Sequence, residues 1–314
     1  MAQPPPPPGG RCPDKLLPGS PKKRYHRRPM TLHRIGVVGC GLMGSGIAQV
    51  CAQKGHPTVI REINDEALRR GLERIRGFLA EGVKRGKLTQ ALMDQAVANL
   101  TGTTALSDLR DCDLVIEAVV ENLDEKRKVF SELDRVCKAA TIFASNTSSI
   151  SITAQAAATK RMDRFIGLHF MNPVPIMKLV EIVRPEITSA ETYAEAKAFA
   201  ESLGKVVVTA KDTPGFIVNL LLVPYICEAV RALEHGLATK EDIDTAMELG
   251  CNMPMGPIKL LDFVGLDTTL SIMDVLFSEF RDPRYAAPPL LRRMVSAGYV
   301  GKKAGRGFYE YAKS

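Results

Sequence analysis

The stretch Arg34-Ile-Gly-Val-Val-Gly39-Cys40-Gly41-Leu42-Met43-Gly44-Ser45-Gly-Ile-Ala-Gln-Val-Cys-Ala-Gln53 decides the fold. It opens with a short apolar run, passes through Gly-x-Gly-x-x-Gly and continues as a helix-forming segment. Strand, glycine turn and helix in this order begin a βαβ unit that binds a dinucleotide. Gly39 makes the tight turn, Gly41 lets backbone approach a pyrophosphate, and Gly44 lets the helix pack on the strand. The first helical amides, around Leu42 and Met43, face the phosphates. The next strand, Thr58-Val-Ile-Arg61, ends at Glu62, where an acidic side chain accepts hydrogen bonds from an adenosine ribose. A 2′-phosphate about 4 Å from that carboxylate is repelled by up to roughly 4 kcal/mol at an effective dielectric near 20, which favours NAD over NADP. Arg61 is the residue that would counter this, but neighbouring strand residues point to opposite faces.

A second informative stretch is Phe165-Ile-Gly-Leu-His169-Phe-Met-Asn172-Pro173-Val-Pro175-Ile-Met-Lys-Leu-Val-Glu181. A buried strand ends at His169, two prolines forbid helix, and β character resumes before Glu181. That arrangement folds Glu181 back beside His169. A carboxylate on one imidazole nitrogen fixes the tautomer and leaves the other to move a proton. A structural histidine held by a carboxylate is the alternative.

Residues 64–98 read as two helices, capped by Asn64 and Thr89 and separated by Gly86. The turn carries Lys84, Arg85 and Lys87, which either meet an acidic substrate or form a solvated tip. Strand Leu114–Val119, helix Leu123–Cys137, strand Thr141–Ala144, helix Ala190–Ala200 and strand Val206–Thr209 follow. This alternation predicts an α/β protein with a Rossmann-like, doubly wound, mainly parallel sheet. Its ligand sits beyond the carboxyl ends of the strands, where Glu121, Asn146, Ser148 and His169 all fall. Ser148 alternatively caps a helix at Ile150. From Asp212-Thr-Pro-Gly215 the character becomes helical, starting with a helix over Phe216–Glu234. Asn219, polar within an apolar helix, needs a partner, either a ligand oxygen or a backbone carbonyl. The expected organisation is a Pro-rich basic tail at 1–32, a dinucleotide-binding domain at 33–211 and an all-α substrate and dimerisation domain at 212–314.

The formal charge of +7 suggests a nucleic-acid binder, yet it is confined to one end. Residues 1–34 hold eight Lys/Arg and one acid, whereas residues 35–314 hold 34 of each sign. No basic patch with interleaved aromatics argues for nucleic acid in the neutral body. The tail, with Pro4 to Pro8 consecutive and the run Lys22-Lys-Arg-Tyr-His-Arg-Arg28, reads as disordered or polyproline-like, and as a non-functional extension ahead of Met30. No apolar stretch has the length of a membrane span or secretory signal. Seven cysteines without metal-ligand spacing indicate a reducing compartment, cytoplasm or mitochondrial matrix.

Taken together, these residues resemble the 3-hydroxyacyl-CoA dehydrogenase family from about residue 33 to the C-terminus. The resemblance is carried by Gly-Cys-Gly-Leu-Met-Gly-Ser-Gly-Ile-Ala (39–48), Ala-Ser-Asn-Thr-Ser-Ser (144–149) and His-Phe-Met-Asn-Pro-Val-Pro (169–175). Lys-Asp-Thr-Pro-Gly-Phe-Ile-Val-Asn (211–219), Met-Gly-Pro (255–257) and Gly-Lys-Lys-Ala-Gly-Arg-Gly-Phe-Tyr (301–309) continue it in order. It implies an NAD-dependent homodimer joined through the helical domain, acting on an acyl-CoA in β-oxidation or butanoate metabolism. It further implies a His169/Glu181 catalytic pair, Ser148 and Asn219 near the substrate oxygen, and Glu62, Glu121, Lys126, Asn172 and Lys303 around the cofactor. The family usually has Asp at Glu62 and Arg at Leu220, and neither departure removes a catalytic group. The competing expectations are a dehydrogenase of a small free hydroxy acid and a catalytically silent protein that kept the fold.

Overall fold

The computed structural model describes residues 32–312, so the expectations for the N-terminal tail lie outside the described residues. Eight strands form one sheet: β1 Ile35–Val38, β2 Thr58–Arg61, β3 Leu100–Thr103, β4 Leu114–Glu117, β5 Ile142–Ser145, β6 Phe165–Phe170, β7 Leu179–Arg184 and β8 Val206–Lys211. Their order is β3-β2-β1-β4-β5-β6-β7-β8, and every neighbouring pair is parallel except β6 with β7. The central strands Ile-Gly-Val-Val, Leu-Val-Ile-Glu and Ile-Phe-Ala-Ser are buried along their whole length. Parallel strands covered on both faces have no solvent side, so their sequences run apolar without alternation.

The helices that cover this sheet are α1 Leu42–Gln53, α2 Asp65–Lys84, α3 Gln90–Ala98, α4 Leu123–Val136, α5 Ile152–Ala156 and α6 Ala190–Ser202. Residues of α1, α2, α3 and α6 share one core cluster with inward residues of the sheet, including Ile47, Ile75, Ala96 and Phe199. The opposite face packs Phe130 and Leu133 of α4 and Ile152 of α5 against Val115, Phe143 and Phe165. There Phe130 stacks edge-on to Phe165 at 4.5 Å and tilts against Phe143 at 5.9 Å. Full burial of each such ring contributes about 1.5–3 kcal/mol. Asn64 and Thr89 cap α2 and α3 as the sequence predicts, through Ala67 N–H and Leu92 N–H.

The second half is α7 Val218–Glu234, α8 Lys240–Gly250, α9 Pro257–Val264, α10 Leu266–Phe280 and α11 Pro289–Ser296. It has a core of its own, with Val223, Ile226, Val230, Leu261, Leu276 and Leu291. Two buried aspartates stitch it together. Asp244 accepts from Ile258 N–H at 2.7 Å and Tyr309 O–H at 2.8 Å, and Asp262 accepts from Phe308 and Tyr309 N–H at 2.8 Å each. Gly256 and Gly307 sit so close to these carboxylates that a side chain carbon would lie 2.4 and 2.1 Å from them. The Met-Gly-Pro and Gly-Lys-Lys motifs are therefore explained by packing.

Besides shifted ends of β4, α6 and β8, three details differ from the sequence reading. Leu100-Thr-Gly-Thr forms an edge strand that no periodicity announced. Helix α7 starts two residues later than expected, because Gly215 and Phe216 have φ of 78° and 51°, outside the helical region. Ser148 caps no helix, since Ser151 caps α5 by accepting from Ala154 N–H.

Candidate active site

At the turn after β1, Gly39 has φ 96°, and a side chain there would lie 2.6 Å from the Ala118 carbonyl oxygen. At Gly44 it would lie 1.8 Å from the Gly39 carbonyl oxygen, which shows how tightly α1 is laid on the turn. At Gly41 nothing lies within 4 Å. Packing therefore explains the outer glycines, while the middle one faces open space that a ligand backbone would fill. Gly41 is the N-cap of α1 and makes no side-chain cap bond, so the first helical amides at Leu42 and Met43 are left for an anion. These features fit a dinucleotide pyrophosphate.

Glu62 follows β2 and turns back on this loop, accepting from Cys40 N–H at 2.7 Å and Ile63 N–H at 2.6 Å. Arg61 points away and donates its Nε–H to the Thr104 carbonyl. A guanidinium that sequence reasoning passed over, Arg74 of α2, donates to the Cys40 carbonyl at 3.2 Å. Burial, with Glu62 beside it, pushes the Cys40 thiol up to about 12, so the thiol stays protonated and is no nucleophile.

The His–Glu pair forms as the two strands require. His169 and Glu181 are register partners across the antiparallel β6/β7 pair, and Nδ1 of His169 lies 2.6 Å from Oε2 of Glu181. Both are buried, at 6% and 0% exposed. The other carboxylate oxygen, Oε1, accepts from the N–H groups of Ile217 and Val218 at 3.0 and 2.9 Å, at the entry of α7. The Phe216 ring meets the imidazole edge-on at 5.6 Å. Nε2 of His169 has no protein partner among the described residues.

The loop between the pair, which holds a cis Asn172–Pro173 bond, lies against the dinucleotide helix. Val174 is buried 3.0 Å from where a Gly46 side chain would begin, and Lys205 Nζ donates to the Val174 and Met177 carbonyls. The glycine turn and the His169 strand end are thus brought together at the carboxyl ends of the parallel strands. Asn146 contributes from inside, its Oδ1 accepting Phe170 N–H at 2.9 Å and so joining the ends of β5 and β6.

Ser148 sits in the loop after β5. Its N–H and hydroxyl donate to Glu121 at 3.0 and 3.3 Å, its neighbour Thr147 also bonds that carboxylate, and its carbonyl accepts from Asn219 Nδ2 at 3.3 Å. Asn219 finds a backbone carbonyl, one of the two partners the sequence allowed, and that carbonyl belongs to Ser148. Burial pushes the Glu121 carboxyl up, but Lys126 and the Thr147 and Ser148 donors outweigh it and hold the group below the usual carboxylate range. Asp212 accepts from Ser151 O–H and from Ile152 and Thr153 N–H, which fixes α5 where the chain crosses to the helical half.

Lys126 joins this cluster through Glu121, whereas among the described residues Lys303, Lys84, Arg85 and Asn172 make no hydrogen bond or ion pair with it. Lys126 is buried between Glu117 and Glu121, at 2.7 and 3.2 Å, and presents no free ammonium. Lys303 pairs with Asp267 at 2.7 Å. Lys84 and Arg85 are exposed at the end of α2, with Arg85 paired to Glu81. Asn172 is exposed on the loop after β6. Sequence reasoning missed Glu117, Thr147, Lys205, Asp212 and Phe216, whose roles depend on partners far along the chain. Among the described residues no helix is long and apolar enough to cross a membrane, and no cluster of His, Cys, Asp or Glu has the makings of a metal site.

Comparison with known proteins agrees with this geometry. Residues 34–213 match the family described as 3-hydroxyacyl-CoA dehydrogenase, NAD binding domain, and residues 215–311 match the C-terminal domain of the same enzymes. A 3-hydroxybutyryl-CoA dehydrogenase of Mycobacterium tuberculosis is 50% identical over 89% of this chain and 99% of its own. The human mitochondrial hydroxyacyl-coenzyme A dehydrogenase is 46% identical over 90% of this chain and 93% of its own. The crystal structure of a (S)-3-hydroxybutyryl-CoA dehydrogenase from Ralstonia eutropha superimposes with a TM-score of 0.86 at 48% identity, covering 90% of this chain and all of that one. With both halves of the chain matched in order and relatives 46–50% identical over about nine-tenths of it, the chain belongs to the 3-hydroxyacyl-CoA dehydrogenase family.

Proposed function

We propose that the protein interconverts a (3S)-3-hydroxyacyl-CoA and the corresponding 3-ketoacyl-CoA, with NAD as the redox partner. The observation that carries this reading is the His169–Glu181 pair, whose Nδ1 side is occupied by carboxylate while Nε2 is free. NAD, when bound at the glycine turn, supplies the acceptor for the hydride from C3. In the oxidation, Nε2 of His169 takes the 3-hydroxyl proton as the C3–H bond breaks and the carbonyl forms. Glu181 holds Nδ1–H and balances the charge the imidazole then carries. Its second oxygen is tied to the α7 amides, so the carboxylate does not need to reorganise when the ring becomes charged. The Ser148 hydroxyl and the Asn219 carboxamide hold the oxygen on which charge changes, and the Asn219–Ser148 carbonyl bond ties α7 to the loop.

A CoA ester is favoured over a free hydroxy acid by the α2/α3 hairpin, an addition of basic, exposed surface at Lys84, Arg85 and Lys87 suited to a phosphate-bearing substrate. The exposed apolar side chains Leu221, Leu249 and Phe263 support dimerisation through the helical half. This reading places the enzyme in β-oxidation or butanoate metabolism, in the cytoplasm or mitochondrial matrix. It is tested by following NADH formation with each enantiomer of 3-hydroxybutyryl-CoA. Turnover of the (3S) form alone is expected, and equal turnover of both enantiomers, or of neither, overturns it.

A further inference from the structure

The Ser148 loop is anchored from below by a carboxylate that is wholly buried. Glu117 closes β4 and is fully buried. One oxygen accepts from Lys126 Nζ and Val119 N–H, each at 2.7 Å, and the other accepts from the Ser145 hydroxyl at 2.7 Å. Two arms leave this centre. Along the first, Lys126 reaches Glu121 at 3.2 Å, and Glu121 receives Ser148 N–H and O–H. Along the second, Ser145 Oγ accepts Thr147 N–H at 3.2 Å. The arms end on adjacent residues, Thr147 and Ser148.

We propose that Glu117 is a positioning residue for the reaction, setting Ser148 through the Lys126–Glu121 and Ser145–Thr147 arms. This rests on the reading of Ser148 as the group that holds the substrate oxygen.

The chemistry of the cluster supports that role. A lysine that is 1% exposed needs its charge balanced on the spot, because an unpaired buried ammonium is costly. Glu121 is partly exposed and alone cannot fix Lys126, so the buried Glu117 sets where Nζ lies, and Nζ sets where Glu121 lies. The three charges sum to −1, which leaves Glu121 an anion able to accept both Ser148 donors. The hydroxyl contact, at 3.3 Å, is long enough for the hydroxyl to turn to a substrate oxygen while the shorter N–H bond holds the backbone. An ordinary buried ion pair would stabilise the fold without caring which residue stands at position 148. A positioning device loses its purpose once the Ser148 hydroxyl is gone.

That difference is measurable in a double-mutant cycle. Glu117→Gln keeps size and one accepting oxygen but removes the charge. It is expected to lower kcat/KM for (3S)-3-hydroxybutyryl-CoA by about tenfold or more while changing the NADH dissociation constant by less than about threefold. In a Ser148→Ala background the same change is expected to cost less than about twofold. Equal losses in both backgrounds, full activity of a folded Glu117→Gln protein, or a collapse of NADH affinity alone would each overturn the proposal. If Glu117→Gln does not fold, Ser145→Ala cuts one arm without stranding a charge and is carried through the same cycle. It is expected to lose about threefold or more beside Ser148 and nothing beside Ala at that position, equal losses again overturning the proposal. Failure of the functional reading looks different, because the unsubstituted protein would then not turn over the CoA substrate at all.

Discussion

Replacing Glu62 by Gln tests the cofactor end of the site, and the structure sets the size of the effect. The carboxylate receives two backbone donors, Cys40 N–H and Ile63 N–H, one on each oxygen. An amide offers one accepting oxygen and turns an NH2 group toward the other donor, which costs about 1–3 kcal/mol for the donor left unsatisfied. NADH binding should therefore weaken as the turn loosens. Against this, the repulsion of a 2′-phosphate disappears. At about 4 Å that repulsion is about 1 kcal/mol in water and about 4 kcal/mol at an effective dielectric near 20, a factor of about five to a thousand. Glu62 is only half-buried, so the shift in preference should fall toward the lower end. The sequence suggested Arg61 as the cation left to greet the phosphate, but Arg61 is turned to the Thr104 carbonyl, whereas Arg74 reaches the carbonyl of Cys40, the residue whose N–H Glu62 holds. Steady-state kinetics with acetoacetyl-CoA should show the NADH/NADPH ratio of kcat/KM falling at least about fivefold in Glu62→Gln and partly recovering in Glu62→Gln/Arg74→Ala. An unchanged ratio in Glu62→Gln, or an unsubstituted protein that already prefers NADPH, would refute the ribose assignment.

His169→Gln should fold and bind NADH yet lose at least about a hundredfold in turnover, the lower range for an acid–base group; near-normal turnover would remove His169 from the mechanism. Because Glu121 titrates below the ordinary carboxylate range, its ion pair and hydrogen bonds add stability that is complete above the unfolded-state pKa of about 4.3 and disappears as pH falls through the lower folded-state value. Melting temperature against pH should thus fall less steeply in Glu121→Gln than in the unsubstituted protein over the acid range, and parallel curves would contradict the assignment. Alkylation near neutral pH should label exposed Cys251 and spare Cys40, whose thiol is pushed up to about 12, and rapid labelling of Cys40 would show the glycine turn to be more open than described. Deleting residues 1–29, which hold most of the excess positive charge, should leave cofactor affinity and kcat unchanged, whereas a large rise in KM for CoA substrates would give the basic run a role.

The parts of the site that could be read from sequence are those whose chemistry is local. The glycine turn, its helix and Glu62 lie within one βαβ unit, and His169 and Glu181 lie on consecutive strands joined by a loop in which Pro173 and Pro175 forbid helix. Leu100-Thr-Gly-Thr was hidden because an edge strand of four residues with two exposed positions has neither an apolar run nor clean alternation. Glu117 was hidden for a different reason. At the end of an apolar strand it looks like the first polar residue of a loop, and only its partners, nine residues away at Lys126 and 28 away at Ser145, reveal a buried network. Lys126 and Lys303, which the resemblance names for the cofactor, each meet a carboxylate that no local pattern announces, Glu117 nine residues back and Asp267 36 residues back.

The central claim, that this site moves a hydride between NAD and the 3-carbon of an acyl-CoA, is tested most directly by the oxidation of NADH and of NADPH with acetoacetyl-CoA and with free acetoacetate as alternative acceptors. Rapid oxidation of NADH with acetoacetyl-CoA, with little from free acetoacetate and little with NADPH, is the predicted result. Comparable rates with free acetoacetate, or no oxidation with the CoA ester, would contradict it.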